Sequence, residues 1–359
     1  MLKIKLMNHF FENIKIDNFK SLRNVELDNC KRINLFIGKP NVGKSNILEA
    51  LGLFSLSHGR LNAATSFGSS LQGFIRAENE NELFFNSEKE EGNNASVVTN
   101  LAICTVSFSA KEGYSIKIEN EETNEIEIID IKENPKADGN TQLKHHLDYD
   151  LAFKKVKKYT FNNNKFLTSS RYSSFSKYKF LRPPFGGNLM KVIENNANLS
   201  TECDVLFKDY GLQLAFDQVS QSLRLMRMIE KKGSGLSKIV LFPYSSIADT
   251  LQRIIFFKAA IVSNTDSILL FEEPEAHSFP PYIAHITQEI INATTNQFFI
   301  TTHSPFVLND FLENAREDLA VHLVDWKNGE TTVKRLSDAD LHEIYQYGID
   351  LFTNLETFI

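Results

Sequence analysis

Apolar residues in the first 55 positions recur at two spacings, which predict strands followed by a helix. Alternation over residues 11–19 and 22–27 is typical of strands, and residues 33–37 form a continuous apolar run of the kind found in buried strands. From residue 46 to 54 the apolar positions fall at helical spacing. A glycine-containing loop separates this run from the helix, so the chain predicts strand, loop and helix in that order.

The middle of the chain changes its pattern twice. Alternation returns between residues 97 and 131, with charged turns between the apolar stretches, and predicts a β-meander. Residues 132–180 are polar and basic, with aromatic residues between the lysines and arginines. Residues 188–230 are predicted to be helical, and residues 239–242 to form a short strand.

The C-terminal third alternates between helical spacing and short, continuous apolar runs. The predicted elements are a helix at 250–262, a strand at 267–271, a helix at 282–293, a strand at 297–301 and a helix at 338–348, which follows the mainly apolar residues 321–325. Buried strands that alternate with helices are typical of a parallel sheet covered on both faces, so the predicted fold class is α/β.

Composition restricts the class of protein more than its activity. A chain of 359 residues with 42% hydrophobic and 23% charged residues suffices for one large or two ordinary domains. The net charge of −6 argues against a surface coated for non-specific nucleic-acid binding, and Cys30, Cys104 and Cys203 are too widely spaced for a CxxC metal site. No signal peptide is visible and no uninterrupted apolar stretch reaches membrane-spanning length, so we expect a soluble, cytoplasmic protein without a membrane partner.

The loop after the third predicted strand matches the phosphate-binding pattern GxxxxGK[ST]. It consists of Gly38, Lys39, Pro40, Asn41, Val42, Gly43, Lys44 and Ser45, with Asn46 opening the helix. Glycines let backbone N–H groups curl around a phosphate, and the start of the helix adds its dipole. In this pattern the lysine neutralises the β- and γ-phosphates and the serine hydroxyl binds Mg²⁺. The alternative is a chance glycine turn.

Two further groups of polar residues follow buried strands. Glu272 and Glu273 end the apolar run of residues 268–271, where one carboxylate can organise Mg²⁺ and the next can hold an attacking water. His303 lies just after the run of residues 297–301 and can sense the γ-phosphate. Taken singly, an exposed acidic turn and a structural histidine are the alternatives. Because the carboxyl ends of parallel strands meet at one edge of a sheet, we expect all three side chains near the loop.

At this point the sequence resembles the ABC-type ATPase heads of the RecF, SMC and OLD (overcoming-lysogenisation-defect) group. The resemblance lies in FKSLRNVEL, IGKPNVGKSNILEAL, LFEEPEAHSFP and FITTHSPFVLN, and it covers roughly residues 11–55 and 240–310. It implies ATP and Mg²⁺ as ligands, with Lys44, Glu273 and His303 in catalysis. The usual residue at the position of Glu272 is aspartate, which leaves the metal geometry open.

The resemblance also implies a signature loop that reaches the ATP of a partner subunit. The matching serines are Ser245 and Ser246, although Ile247-Ala248 stands where glycine is expected. The alternative from the residues themselves is an ordinary helix cap. The group further uses a glutamine in the Mg²⁺ shell, for which Gln72 is the candidate, and assembles as an ATP-sandwiched homodimer or a higher oligomer. His277 is a candidate for meeting the other subunit, or an ordinary surface histidine.

The predicted architecture is therefore a P-loop ATPase head in three segments. Residues 1–139 form an N-terminal ATPase lobe with an antiparallel β-meander, residues 140–235 a helical insertion, and residues 236–359 a C-terminal ATPase lobe. No fused nuclease domain of the OLD kind is expected within this length, nor are long coiled-coil arms.

Three functions remain open at this stage. The first is a regulatory ATPase of a bacterial anti-phage defence system that acts with a separately encoded effector, for example a nuclease. The second is a RecF-like DNA-repair ATPase that binds nucleic acid through the basic and aromatic residues of 154–182, a segment that alternatively forms a solvated helical lobe. The third is the nucleotide-binding subunit of a transporter, which would call for an intact glycine signature.

Overall fold

The structure is a computed structural model of the full chain. It describes residues 9–58, 74–121, 123–133, 141–146, 155–162, 179–230 and 237–358. Contacts between Cα atoms group the chain into two compact units. Unit 1 comprises residues 1–160, 266–273 and 294–359, and unit 2 comprises residues 161–265 and 274–293.

Unit 1 holds thirteen strands among the described residues, divided between two sheets. They are β1 (Ile14–Asp17), β2 (Val25–Leu27), β3 (Ile33–Ile37), β4 (Ala95–Thr99), β5 (Ala102–Ser109), β6 (Gly113–Asn120), β7 (Ile126–Glu133), β8 (Thr141–His146), β9 (Val156–Tyr159), β13 (Ile268–Glu272), β14 (Gln297–Thr301), β15 (Leu319–Lys327) and β16 (Glu330–Arg335). Its described α-helices are α1 (Lys44–Gly52), α6 (Pro305–Asn314), α7 (Asp338–Tyr347) and α8 (Leu355–Phe358).

A six-stranded sheet in the order β16-β15-β3-β14-β13-β9 forms the base of the candidate site. Its pairs are parallel except for β15 with β16. Every residue of β3 and β14 is buried, which explains why their sequences are apolar runs without alternation. The parallel pairing aligns Glu272 with Thr301, so the acidic pair and the histidine segment leave the sheet side by side.

The second sheet of unit 1 is antiparallel, in the order β2-β1-β4-β5-β6-β7-β8. Alternating burial along β5 and β6 matches the alternating sequence; in β5, Cys104 and Val106 are buried while Thr105 and Ser107 are partly exposed. Strands β4 to β7 are the predicted β-meander, and β8 extends it by one strand. One hydrophobic cluster joins residues of this sheet, such as Val97, to Leu48 of α1 and Phe299 of β14.

Unit 2 combines helices with a small sheet. Its described α-helices are α2 (Leu189–Glu194), α3 (Ala197–Lys208), α4 (Asp249–Val262) and α5 (Pro280–Asn292). Strands β10 (Gln213–Asp217), β11 (Ser222–Glu230) and β12 (Ser237–Pro243) form an antiparallel sheet in that order.

The prediction of helices over residues 188–230 is wrong beyond residue 208. Residues 222–229 alternate so that Leu223 and Leu225 are buried while Arg224 and Met226 on the opposite face are partly exposed. Period-two burial of this kind stabilises a strand and not a helix. The insertion is therefore mixed helix and sheet in its described part, while the predicted α/β class and the antiparallel lobe are confirmed.

The predicted segments 1–139, 140–235 and 236–359 remain a prediction as domain boundaries. The contact-based units divide the chain differently, because β9 (Val156–Tyr159) pairs with β13 in the sheet of unit 1. Among the described residues, no helix is both long enough and apolar enough to span a bilayer.

Candidate nucleotide-binding site

The loop between β3 and α1 has two positions that accept only glycine. Gly43 adopts φ +100°, and a Cβ there would lie 2.1 Å from Thr331 Oγ1. A Cβ on Gly38 would lie 2.1 Å from the carbonyl oxygen of Val324. Glycine at these positions lets the backbone pack closely against its neighbours and turn with its N–H groups uncovered, which is the geometry that phosphate binding requires.

The lysine of the loop is held inside it. Lys44 is buried, and its Nζ donates hydrogen bonds to the carbonyl oxygens of Gly38 at 2.8 Å and Lys39 at 2.7 Å. Burial lowers the pKa of Lys44 to about 8, against the opposing effect of Glu273. An incoming phosphate would supply the full countercharge that this ammonium group lacks.

The other residues of the loop and the first residues of α1 make different contacts. Lys39, Pro40 and Asn41 are exposed, and Lys39 pairs with Glu356 at 2.9 Å. Val42 is buried. The amide of Asn46 donates to Ser21 Oγ at 2.7 Å, so its side chain is engaged with the turn that precedes β2.

Ser45 and Glu272 form the predicted hydroxyl–carboxylate pair. Ser45 Oγ donates to Glu272 Oε1 at 2.6 Å, with Glu272 at the end of β13. Burial raises the pKa of the Glu272 carboxyl, but Arg76 and Lys158 outweigh this effect and hold the pKa below its usual value. The carboxylate is therefore ionised at neutral pH.

This donor set fits Mg²⁺. Magnesium in nucleotide sites takes oxygen ligands, commonly one or two protein side chains together with substrate phosphates. A serine hydroxyl and an ionised carboxylate in contact provide such oxygens, and the guanidinium of Arg76 already rests on the same Glu272 oxygen as a cation. The extra methylene of glutamate relative to aspartate does not prevent the contact with Ser45.

Glu273 and His303 lie together beside this pair. Their side chains approach to 3.5 Å between Oε1 and Nε2, and both are about two-fifths exposed, at 41% and 39%. The backbone of Glu273 turns sharply with φ +42°, and its N–H donates to the carbonyl oxygen of Thr301 at 3.0 Å. Burial and then Lys44 lower the pKa of His303, so its imidazole is neutral at pH 7 and able to accept or donate a hydrogen bond.

Four charged residues of the site escaped the sequence reasoning: Lys20, Glu49, Arg76 and Lys158. Glu49 is buried on α1 and pairs with Lys20, and Arg76 Nε lies 3.8 Å from its Oε1. Lys158 is buried and donates to the carbonyl oxygen of Phe74 at 2.7 Å. The only early signal was the spacing of Glu49, four residues after Ser45 and hence on the same face of the helix.

The signature-like serines lie in unit 2, in a short turn of 3₁₀ helix (Tyr244–Ser246). Both are exposed, and Ser246 Oγ donates to the carbonyl oxygen of Pro243 at 2.6 Å. The alternative that they cap the following helix is wrong, because α4 starts at Asp249 with Ala248 as its N-cap and no side-chain cap. Their role toward a nucleotide stays a prediction.

The remaining candidates have different outcomes. Gln72 lies outside the described residues. His277 is an exposed residue of unit 2 whose carbonyl oxygen accepts a hydrogen bond from Thr250 Oγ1 at 2.7 Å. In the basic segment 154–182, Lys157 and Lys158 are buried parts of β9, so neither is available to a nucleic acid. Most of the other basic residues of that segment lie outside the described residues.

Comparison with known families identifies the class of the protein. A model of the AAA ATPase domain matches residues 10–219, which include the phosphate-binding loop. The chain belongs to this AAA ATPase domain family. A second model, described as an AAA domain, putative AbiEii toxin, Type IV TA system, matches residues 209–309, which include both carboxylates and His303.

Curated relatives match over short stretches. An uncharacterized protein of Methanocaldococcus jannaschii is 51% identical over 43 residues, covering 12% of this chain and 20% of that protein. An "ATP/GTP phosphatase" of Helicobacter pylori is 42% identical over 40 residues, covering 11% of each chain. The matched part of the chain thus spans a fifth or less of these relatives.

Solved structures of SMC head domains overlay with TM-scores below 0.5. An SMC head bound to the C-terminal winged-helix domain of ScpA has a TM-score of 0.46 at 15% identity, covering 91% of this chain and 98% of that chain. The SMC head from Thermotoga maritima gives 0.43 at 12% identity, covering 91% and 99%. The head from Pyrococcus furiosus with an extended coiled coil gives 0.48 at 13% identity, covering 94% and 99%.

Proposed function

We propose that this chain binds ATP with Mg²⁺ at the loop of residues 38–45 and hydrolyses it. One observation carries the proposal: Ser45 Oγ and Glu272 Oε1 meet at 2.6 Å, beside a glycine loop that already holds its lysine on its own carbonyl oxygens. Family membership supports ATP as the nucleotide.

Each residue then has a chemical task. Loop amides and Lys44 bind the β- and γ-phosphates. Glu273, at the carboxyl end of β13, holds and orients the attacking water, and His303 hydrogen-bonds the γ-phosphate and registers its loss. Ser45 and Glu272 would hold Mg²⁺, with Gln72 as a further proposed ligand. When bound, the metal neutralises charge on the phosphate oxygens.

We further propose that two copies enclose the nucleotides, with Ser245 or Ser246 of one copy contacting the γ-phosphate bound by the other, and a higher assembly is compatible with this arrangement. The exposure of both serines supports the proposal, because a residue that acts on a second copy must be accessible in the single chain. The absence of glycine at Ile247-Ala248 predicts slow or partner-activated hydrolysis.

The experiment is the variant Glu273→Gln, which removes the carboxylate and keeps the shape. With Mg²⁺ and ATP, light scattering is expected to give the mass of a dimer for this variant, because the bound ATP is not hydrolysed. Lys44→Ala in the same background is the control and is expected to remain monomeric. A Glu273→Gln protein that binds ATP yet stays monomeric would refute the ATP-enclosed dimer.

For the biological role, we propose a regulatory ATPase of a bacterial defence module that switches a separately encoded effector protein, most simply a nuclease. The match to a model whose description includes a putative toxin of a toxin–antitoxin system supports this setting. The test is affinity capture of the Glu273→Gln protein expressed with its neighbouring genes, with Lys44→Ala as control. Recovery of the same proteins with both variants, or of none, would count against an ATP-controlled effector.

The buried part of the basic segment argues against the RecF-like alternative. Burial of Lys157 and Lys158 removes two of the cations that a DNA surface over residues 154–182 would use. A transporter subunit remains disfavoured by Ile247-Ala248. ATP-dependent DNA binding that is lost on reversing the charge of Lys154 and Lys155 would restore the DNA hypothesis.

A further inference from the structure

We propose that Arg76 is a built-in counter-cation of the metal position, which rests on Glu272 in the nucleotide-free protein and is exchanged for Mg²⁺ when the nucleotide binds. This inference rests on the proposed function and adds that a side chain of the protein itself competes with the metal for Glu272. It predicts that metal and Arg76 cannot hold the same carboxylate oxygen at the same time.

Arg76 and Ser45 contact one and the same oxygen of Glu272. Arg76 Nη2 donates to Glu272 Oε1, the same atom that accepts the hydrogen bond from Ser45 Oγ at 2.6 Å. Ser45 and Glu272 are the two side chains that would hold Mg²⁺. The guanidinium therefore uses the carboxylate oxygen that lies next to the serine hydroxyl.

A second carboxylate enlarges this cation position. Glu49 follows Ser45 by four residues on α1, so the two side chains lie on one face of the helix. Its side chain is only 1% exposed, and Arg76 Nε lies 3.8 Å from its Oε1. Arg76 thus spans two carboxylates, one nearly buried and the other, Glu272, 11% exposed.

The backbone that carries Arg76 is fixed from two sides. Lys20 Nζ donates to the carbonyl oxygen of Arg76 at 2.7 Å and pairs with Glu49. Lys158 Nζ donates to the carbonyl oxygen of Phe74, also at 2.7 Å. These buried or nearly buried lysines act as positioning residues, because they place the start of the Arg76 side chain beside Glu272.

The Arg76 side chain, in contrast, reaches the solvent. The Arg76 side chain is 64% exposed, whereas that of Lys20 is 12% exposed. A long side chain on a fixed backbone can move into solvent or onto a phosphate without unfolding the segment. Exchange of this cation therefore needs only side-chain rotation.

Charge balance gives the exchange its direction. Arg76 faces Glu272, Glu49 and, more weakly, Glu273, and two further cations, Lys20 and Lys158, already interact with the first two of these carboxylates. A divalent ion added to this group repels the nearest mobile cation, and Arg76 is the exposed one. Loss of Arg76 should therefore make the nucleotide-free protein a better metal binder.

The test measures Mn²⁺ binding to the nucleotide-free full chain by electron paramagnetic resonance, with Mn²⁺ as the probe for Mg²⁺. Arg76→Gln is expected to tighten Mn²⁺ binding on the order of ten-fold relative to wild type. Arg76→Lys keeps the charge and should remain close to wild type. Lys15→Ala, which removes an exposed cation paired with Glu26 and lies outside the loop, should change the affinity by less than about two-fold.

Further measurements separate the outcomes. Adding Mg²⁺ should raise the melting temperature of Arg76→Gln more than that of wild type, and Glu272→Gln should remove the gain in Mn²⁺ affinity. Mn²⁺ binding to Arg76→Gln that is no tighter than to wild type would overturn this inference. If instead wild type binds no ATP while Arg76→Gln still gains Mn²⁺ affinity, the proposed function fails, whereas the competition between Arg76 and the metal for Glu272 stands.

Discussion

The loop of residues 38–45 in unit 1 and the signature-like turn in unit 2 both match a sequence motif, but their side chains have different surroundings in the structure. In the loop, Lys44 is buried and bonded, and Ser45 contacts Glu272. In the turn, Ser245 and Ser246 are exposed, and Ser246 is satisfied by its own neighbour Pro243. The difference teaches that one chain can display a site built from its own residues, whereas a turn that is only proposed to act on a second copy shows no more than exposure.

The strongest way to test this contrast is to disable each region in turn. Lys44→Ala removes a charged donor from the phosphate site and should weaken ATP binding by roughly 100-fold, equivalent to about 3 kcal/mol. The double variant Ser245→Ala/Ser246→Ala should bind ATP within about two-fold of wild type, because these serines would act only after a second copy arrives. A fluorescent ATP analogue titrated into each protein gives both affinities.

Dimerisation provides the reverse comparison. In the Glu273→Gln background, the serine double variant should no longer form the ATP-dependent dimer although it still binds ATP. Retention of a wild-type-like dimer would show that the turn has no signature role.

The sequence predicts the structure best where every residue of an element is buried. The strands at residues 33–37 and 297–301 were predicted with the same bounds that the structure shows, because every residue in them is buried. The carboxyl-end rule then placed Glu272, Glu273 and His303 correctly in relation to the loop.

The cluster around Arg76 could not be predicted in the same way. Its members are Lys20, Glu49, Arg76, Lys158 and Glu272, which meet only through tertiary structure. No local pattern distinguishes Arg76 from other loop arginines, and Lys158 belongs to a segment whose basic composition suggested a surface. The fold decides which charges pair over long sequence distances, so this cluster cannot be predicted without the order of the strands in the sheet.

A further prediction concerns the backbone conformation that the loop requires. Gly43→Ala adds a Cβ at φ +100° and 2.1 Å from Thr331 Oγ1, so it should lower the free energy of unfolding by about 2–3 kcal/mol. Gly92→Ala is the matched control, since Gly92 has φ +86° with nothing within 4 Å of the added Cβ, and should cost about 1 kcal/mol. Urea denaturation measures both, and equal losses would show that the loop tolerates the added atom.

The pH dependence of ATP binding is predicted from the lowered pKa of Lys44, about 8 in the free protein. Phosphate binding favours the charged ammonium group, so the pKa rises in the complex and ATP affinity is greatest below pH 8. Affinity should fall about ten-fold between pH 7 and 9, because each unit above the free pKa costs up to a factor of ten. Lys44→Ala should show a flat profile over the same range, and a flat wild-type profile would exclude Lys44 as the titrating group.

The smallest expected effect concerns a histidine of β15 that belongs to none of the motifs. His322 of β15 is fully buried and stacks on Phe36 at 5.2 Å, and within the described part of the chain neither ring nitrogen has a hydrogen-bond partner. Burial, aided by Arg335, lowers the pKa of His322 to about 3. The unfolded chain binds a proton below its ordinary pKa near 6.5 while the folded chain does not, so stability falls as the pH drops from about 6.5 toward 3.

His322→Leu removes that proton-binding group and the two unsatisfied nitrogens while nearly keeping the volume. We expect a change within about 1 kcal/mol at pH 7 and a shallower loss of stability in acid, measured by urea denaturation at pH 7, 6 and 5. His342→Leu, at an exposed position on α7, is the matched control and should keep the wild-type acid profile. If His322→Leu retained that profile as well, the acid sensitivity would have to come from carboxylates, with Glu272, whose pKa is lowered in the folded protein, as the first to examine.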